Sequence, residues 1–276
     1  MFRRTFNSGL AATVLCASVL LSACGGGGGS GSSGSSASSA SSGGDATTLK
    51  AGLYVADVKY VNGAPSQKAV TYLSPTGTFA IIFGGGAGLS FGTLAFDSSN
   101  ISGTSIDYRQ LDSDQPNSEG FVEDRSVFEG AISGTISSLE SGSFSTADPA
   151  GKVNTNVTLK RQNSLSDLGI SMKRVAGTYV KGESEVALTF GEDGSSFAQY
   201  YTQTTGCQLG GPGTLSVPVA SINVFDISYT MSNCTNESRN GEYSGIGFFG
   251  PTADQRMQVV FAAHNGNVAM KFEGIN

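Results

Sequence analysis

The chain reads as an all-β protein: two tandem β units behind a disordered leash. Three observations predict this. Past residue 48 little of the sequence shows a helical period, and short alternating runs are bounded by Gly, Asn, Asp and Pro. A stretch of 25–44 is almost wholly Gly, Ser and Ala. Similar short motifs recur, in the same order, in the two halves of the chain beyond that stretch.

The alternation is clearest in the second half. Phe225, Ile227, Tyr229 and Met231 point one way, and Asp226, Ser228 and Thr230 the other. Val186, Leu188 and Phe190 alternate likewise, as do Val268, Met270 and Phe272 after the hairpin signal Asn265-Gly266. In the first half Phe79, Ile81 and Phe83 share a face, and so do Leu89, Phe91 and Thr93. Gly84-Gly85-Gly86 between them is a turn or loop. Residues 164–173 fit either a short helix, with Ser164 as N-cap and Leu165, Leu168 and Met172 on one side, or an extended linker.

The duplication rests on four matches. Ala51-Gly52-Leu53-Tyr54-Val55 resembles Ala176-Gly177-Thr178-Tyr179-Val180, and Gly92-Thr93-Leu94 repeats as Gly213-Thr214-Leu215. Ile106-Asp107-Tyr108 is matched to Ile227-Ser228-Tyr229, and the Gly130–Gly134 stretch to Gly241–Gly245. The expected organisation is a leader over 1–23, a tether over 24–48, β domain 1 over 49–162, a linker over 163–173 and β domain 2 over 174–276. Each domain is long enough for its own core. Two tandem small antiparallel β-barrel (lipocalin-like) or sandwich units are expected, hollow or filled by side chains.

The N-terminal end carries the address. Arg3 and Arg4 precede a run over 9–23 that is apolar or small and lacks Asp, Glu and Lys. It is shorter than the roughly 20 residues a membrane-spanning helix needs, and it reads as an export signal. Its end, Leu21-Ser22-Ala23-Cys24, resembles the lipobox of bacterial lipoproteins at all four positions. That resemblance implies cleavage before Cys24, acylation of its thiol and attachment to the outer membrane, since Gly25 rather than Asp follows. An ordinary secretory leader with Cys24 as a spare thiol is the alternative. The Gly/Ser segment cannot bury enough apolar area to offset its chain entropy. As a coil it gives a mean reach of roughly 25 Å, enough to lift a folded body off the lipid headgroups.

Charge and chemistry narrow the function. The net charge is −6, and losing Arg3 and Arg4 with the leader makes the mature chain more acidic. Nucleic acid is therefore not an expected partner. With Cys16 in the leader and Cys24 acylated, Cys207 and Cys234 are left to form a disulfide in an oxidising compartment. His264, the single histidine, is expected as an exposed turn residue. Gly88-Leu89-Ser90-Phe91-Gly92 spells G-x-S-x-G but falls within the alternating run of Leu89, Phe91 and Thr93 rather than at a strand-to-helix elbow; zinc-ligand spacing and a G-K-[ST] loop are absent, and no catalytic residue, metal or cofactor is assigned. Asp112, Asp114 and Glu123 approach the spacing of a calcium loop. Pro116 and Asn117 depart from it, and the segment reads as a solvated acidic insertion of the first unit. Glu183 and Glu185 read as surface charge. Tyr200, Tyr201, Tyr243, Phe248 and Phe249 read as core.

The arrangement resembles Gram-negative surface lipoproteins of the transferrin-binding protein B and factor H-binding protein type. Anchor and tether carry the resemblance, together with Gly247-Phe248-Phe249-Gly250-Pro251-Thr252-Ala253, after which Met257-Gln258-Val259 departs from that family's pattern. It implies a non-enzymatic binding role, for a protein or a small molecule, through barrel loops or a barrel mouth. A structural envelope component is the alternative, ahead of a carboxylate-based hydrolase. Mass spectrometry of the mature N terminus is expected to show acylated Cys24; an unmodified start at another residue rules out the anchor.

Overall fold

The computed structural model describes residues 48–84, 88–109, 121–123, 128–181, 187–199 and 206–276. The first unit runs through β1 (Gly52–Tyr60), β2 (Gln67–Leu73), β3 (Thr78–Phe83), β4 (Gly88–Asp97), β5 (Asn100–Arg109), the three-residue β6 (Phe121–Glu123), β7 (Phe128–Ser138), β8 (Ser141–Ala147) and β9 (Val153–Arg161). All but β6 pair in chain order, antiparallel, and β1 closes onto β9. Two short helices follow, α1 (Asn163–Ser166) and α2 (Met172–Val175). The second unit consists of β10 (Gly177–Val180), β11 (Ala187–Phe190), β12 (Ser195–Gln199), β13 (Gln208–Ser216), β14 (Phe225–Ser232), β15 (Gly241–Pro251), β16 (Met257–His264) and β17 (Val268–Ile275). These also pair in chain order and close through Val180 opposite Ile275. Both units are therefore eight-stranded antiparallel barrels, barrel 1 and barrel 2.

Alternation builds each core. In barrel 1, Tyr54, Ala56 and Val58 of β1 face inward with Phe79 and Ile81, Ile132, Phe144, Val157 and Leu159. In barrel 2, Leu188, Phe190, Phe225, Ile227, Tyr229, Met231, Phe261, Met270 and Phe272 do the same. Burying one such side chain is worth about 1.5–3 kcal/mol.

A repeated corner starts the barrels. Gly52, at φ +140°, bends the chain into β1, and the Tyr54 hydroxyl then donates to the Lys50 carbonyl. Gly177, at φ +148°, does the same for β10, where Tyr179 donates to the Val175 carbonyl at 2.8 Å. The Gly-x-Tyr of the two matched motifs is thus a tyrosine corner, tying a strand to the carbonyl four residues upstream. Gly241 and Tyr243 repeat it at the start of β15, with the Arg239 carbonyl as acceptor at 2.9 Å. A Cβ on Gly52 would lie 2.6 Å from Ser166 Oγ and 3.0 Å from Arg161 Nε.

Register establishes the duplication residue by residue. Gly52 faces Leu73 and Gly177 faces Phe190; Leu73 faces Phe79 and Phe190 faces Ser196; Phe79 faces Gly92 and Ser196 faces Gly213. Two residues on, Leu94 faces Gly103 and Leu215 faces Ile227, and then Gly103 faces Ile132 and Ile227 faces Gly245. Again two residues on, Gly134 faces Phe144 and Gly247 faces Phe261, which in turn face Val157 and Phe272. Three residues further, Lys160 meets Val55 and Ile275 meets Val180, each three residues beyond its starting glycine. The two ladders therefore close with the same stagger.

This trace keeps two of the four sequence matches and corrects two. Gly52/Gly177 and Gly92/Gly213 are equivalent. Ile227 stands in the place of Gly103 rather than Ile106, because the β13–β14 connection over 217–224 is longer than the tight turn joining β4 to β5. Gly245 stands in the place of Ile132, two residues from the matching that the Gly/Ser pattern suggested.

Outer faces bring the barrels together. Tyr72, Ile82, Leu89, Phe91 and Tyr108 of barrel 1 bury against Ile246, Phe248, Val260, Ala262 and Ala269 of barrel 2. The Tyr72 and Phe248 rings lie 5.5 Å apart. Burial pushes the Tyr72 hydroxyl well above its ordinary pKa. The linker is stitched to both bodies. Buried Ser166 Oγ accepts from the Leu53 amide at 2.9 Å, and buried Asn223 Nδ2 donates to the Leu165 carbonyl at 3.0 Å. Residue 162 caps α1, not Ser164. Finally β6, from the insertion between β5 and β7, pairs with β17 at Val268–Met270, beyond the short β10.

Beneath barrel 1 the Arg161 side chain is fully buried. Its Nε donates to the Ala51 carbonyl at 2.9 Å, while Nη1 and Nη2 grip the Asp167 carboxylate at 3.1 and 2.8 Å. This fork holds Asp167 down at a pKa of about 2. Gly52→Ala is expected to destabilise the protein by about 1–3 kcal/mol, through a side chain at positive φ pressed against the α1 junction. Tyr54→Phe is expected to cost about 0.5–1.5 kcal/mol, for the lost corner bond. Urea unfolding measures both; an unchanged midpoint for Gly52→Ala means the corner is not strained.

Candidate functional site

Corresponding positions in the two barrels hold different side chains at one end. In barrel 1, Ser105 on β5 faces Gly130 on β7, and Thr146 on β8 faces Thr155 on β9. The equivalent pairs in barrel 2 are Tyr229 facing Tyr243, and Ala263 facing Met270. Asp107 of barrel 1 stands where barrel 2 has Met231. The two tyrosine rings of barrel 2 stack at 5.1 Å with an interplanar angle of 6°. Methionines 231 and 270 pack beside them in the core.

Among the described residues, side chains fill this end of barrel 2, whereas barrel 1 keeps a cavity there. Inside barrel 2 the space beside Tyr229, Phe261 and Met270 amounts to about 10 Å³. In barrel 1 a cavity of about 60 Å³ opens at the mouth. Its walls are apolar, including Phe79, Ile81, Ile132, Phe144 and Val157, and its upper rim is polar. Ser90 Oγ donates to the Asp107 carboxylate, and the Thr146 and Thr155 hydroxyls bond at 2.6 Å. Ser105 is 2% exposed, and its hydroxyl, among the described residues, has no hydrogen-bond partner. The mouth therefore combines apolar walls, a rim carboxylate and an inward hydroxyl, the kinds of group that line small-molecule sites.

Barrel 2 is further fastened at the corresponding end. Cys207, just before β13, bonds Cys234, just after β14, across 27 residues of chain, as the cysteine count predicted. The Thr235 amide donates to the Gly206 carbonyl at 2.9 Å beside it. Closing a loop of that length stabilises by about 3 kcal/mol in the chain-entropy model.

A second recess lies between the barrels. Cross-strand neighbours Thr78, Thr93 and Thr104 line one wall; Thr214, Ser228 and Ser244 line the other. These hydroxyls are solvent-exposed. Half-buried Asp226, with its pKa raised by burial, sits at the edge, 3.4 Å from Ser74 Oγ.

His264 is not the exposed turn residue that the Asn-Gly signal suggested. It ends β16 at the barrel–barrel contact, with its ring 4.5 Å from that of Phe91 and its Nδ1 2.9 Å from the Tyr108 hydroxyl. The Gly266 backbone also bonds that hydroxyl, and burial raises the Tyr108 pKa to about 12. Tyr243 and Phe249 belong to the barrel 2 core as expected, whereas Phe248 serves the interface. Cys24, Asp112, Asp114, Pro116, Asn117, Glu183, Glu185, Tyr200 and Tyr201 lie outside the described residues. Among the described residues no cluster of His, Cys, Asp and Glu could hold a metal ion.

No protein-family model matches the chain, and no curated protein matches it. Among solved structures, a Bacteroides fragilis protein provisionally described as an outer membrane protein aligns over 82% of this chain and 97% of its own, at 14% identity and a TM-score of 0.25.

The interface histidine gives a pH prediction. Burial lowers the folded-state pKa of His264 below its ordinary value of 6.5. The unfolded chain therefore takes up the proton first. The neutral ring's contribution to stability is complete above about pH 6.5 and is lost as pH falls toward the lower folded value. Melting temperature should decline over that window, and His264→Gln should flatten the decline. Equal slopes for both proteins would show that His264 is not the titrating group.

Proposed function

We propose that this chain is an outer-membrane lipoprotein with a non-enzymatic binding role, and that it takes a small ligand in the mouth of barrel 1. Acylated Cys24 holds it to the membrane, and the Gly/Ser segment over 25–44 is the leash. One observation carries the reading. Two ladders of equal stagger enclose corresponding interiors, yet the positions filled by Tyr229, Tyr243 and Met270 in barrel 2 hold Ser105, Gly130 and Thr155 in barrel 1.

A merely structural duplicate gains nothing from that exchange. Losing buried side-chain volume destabilises by about 2–5 kcal/mol per large residue. Such a defect at a barrel mouth is the mark of a site kept open for something else. The chemistry of the lining supports binding over catalysis. Among the described residues one carboxylate, Asp107, lines the mouth, whereas acid–base hydrolysis of a glycosidic bond calls for a facing pair.

Native mass spectrometry of the protein extracted from its own envelope tests this. The wild-type chain is expected to carry a bound small molecule that the plugged variant Ser105→Tyr/Gly130→Tyr lacks. Identical masses after subtracting the substitutions would remove the mouth as the site.

A further inference from the structure

Resting on the reading of the barrel 1 mouth as a ligand site, we infer that its ligand presents a flat ring bearing a hydroxyl or similar hydrogen-bonding substituent. Barrel 2 supplies the template. Its Tyr229 ring meets Phe261 edge-to-face, with centroids 6.3 Å apart and an interplanar angle of 69°. Phe261 occupies the register position of Phe144 in barrel 1, since it faces Gly247 as Phe144 faces Gly134. A ring entering barrel 1 where Tyr229 stands in barrel 2 therefore finds an aromatic wall already in place, and Phe79 lies 6.5 Å from Phe144 beside it. Edge-to-face contact of this kind adds about 0.5–1.5 kcal/mol beyond the area buried.

The polar groups set the substituent. Ser105 replaces the tyrosine at the root of the missing ring, and its buried hydroxyl is turned to the cavity. A ligand hydroxyl reaching that point finds a partner that can both donate and accept. The Asp107 carboxylate, bonded by Ser90 Oγ at the rim of a chain of net charge −6, disfavours an anion there. Phenol-like groups are therefore preferred over benzoate-like ones.

Volume sets the depth. The enclosed 60 Å³ is smaller than the roughly 150 Å³ that encloses benzene in a dry engineered cavity. The ring goes in edge first, and the rest of the ligand lies beside Tyr60 and Phe83.

Methyl-resolved NMR titrations of the full chain carrying Cys24→Ser test this, with phenol, cyclohexanol and benzoate as probes. Phenol is expected to shift the Ile132 and Val157 methyl signals saturably, more strongly than either competitor. Ser105→Ala should weaken phenol about two- to tenfold, and Ser105→Tyr/Gly130→Tyr should weaken it more than about tenfold. Should the double variant fail to fold by circular dichroism, Thr155→Met, copied from Met270, narrows the same mouth and should also weaken phenol. If cyclohexanol shifts these methyls and phenol does not, the ring inference falls while the mouth remains a ligand site. If benzoate outbinds phenol, the assigned substituent is wrong. If no probe shifts either methyl, the ring inference falls, and the native mass measurement alone decides whether the mouth binds anything.

Discussion

Closure of the hydrogen-bond ladder is the constraint on which the rest of this structure depends. Once eight strands close with a given stagger, the tilt and width of the barrel follow, and the interior can vary only through its side chains. Because both barrels close at equivalent residues, Val55 with Lys160 and Val180 with Ile275, each serves as a measure of the other. The Tyr229–Tyr243 stack against Ser105 and Gly130 is then a difference between like positions. Without the common register, the small residues of barrel 1 would be ordinary members of a Gly- and Ser-rich sequence.

What holds the closed ladders in place is concentrated at their starts. Each corner joins a glycine at positive φ to a tyrosine two residues later, whose hydroxyl fixes the incoming chain. In barrel 1 the corner sits directly on the buried Arg161 and on Ser166 of α1. The entry of the first strand, the exit of the last and the linker thus form one polar cluster. Removing a partner there leaves a buried guanidinium under-bonded, which costs more than loss of an exposed pair. Through Ser166 and Asn223 the cluster extends to the β13–β14 connection and so to the second barrel.

The strands themselves were legible, because one-sided burial writes a period of two into the sequence. Phe225 to Met231 alternates in the structure as it does in the bare sequence. The two motifs bound to backbone requirements, Gly-x-Tyr and Gly-Thr-Leu, located the duplication correctly. Matches resting on composition slipped, because a longer turn displaces every later residue and only pairing reveals it. The packing of barrel on barrel also leaves a trace in the sequence. Phe79–Phe83 and Ile246–Phe249 are continuous apolar runs, the pattern of strands covered on both faces. His264 was misplaced for the same reason, since a turn signal describes the local chain and not what packs against it. The mouth was invisible, because an absent side chain leaves no motif.

Strict chain-order pairing also shapes how such a molecule can come into being. Each barrel strand after the first can zip onto its predecessor as soon as it is free, through short-range contacts that form quickly. Neither barrel can seal until its final strand arrives. The shared apolar face between the barrels needs Phe248, Val260 and Ala269, all near the end of the chain. A newly made chain therefore spends its early life with the outer face of β2 to β5 bare. Aggregation is the hazard of that interval, and the final hairpin, β16 to β17, ends it.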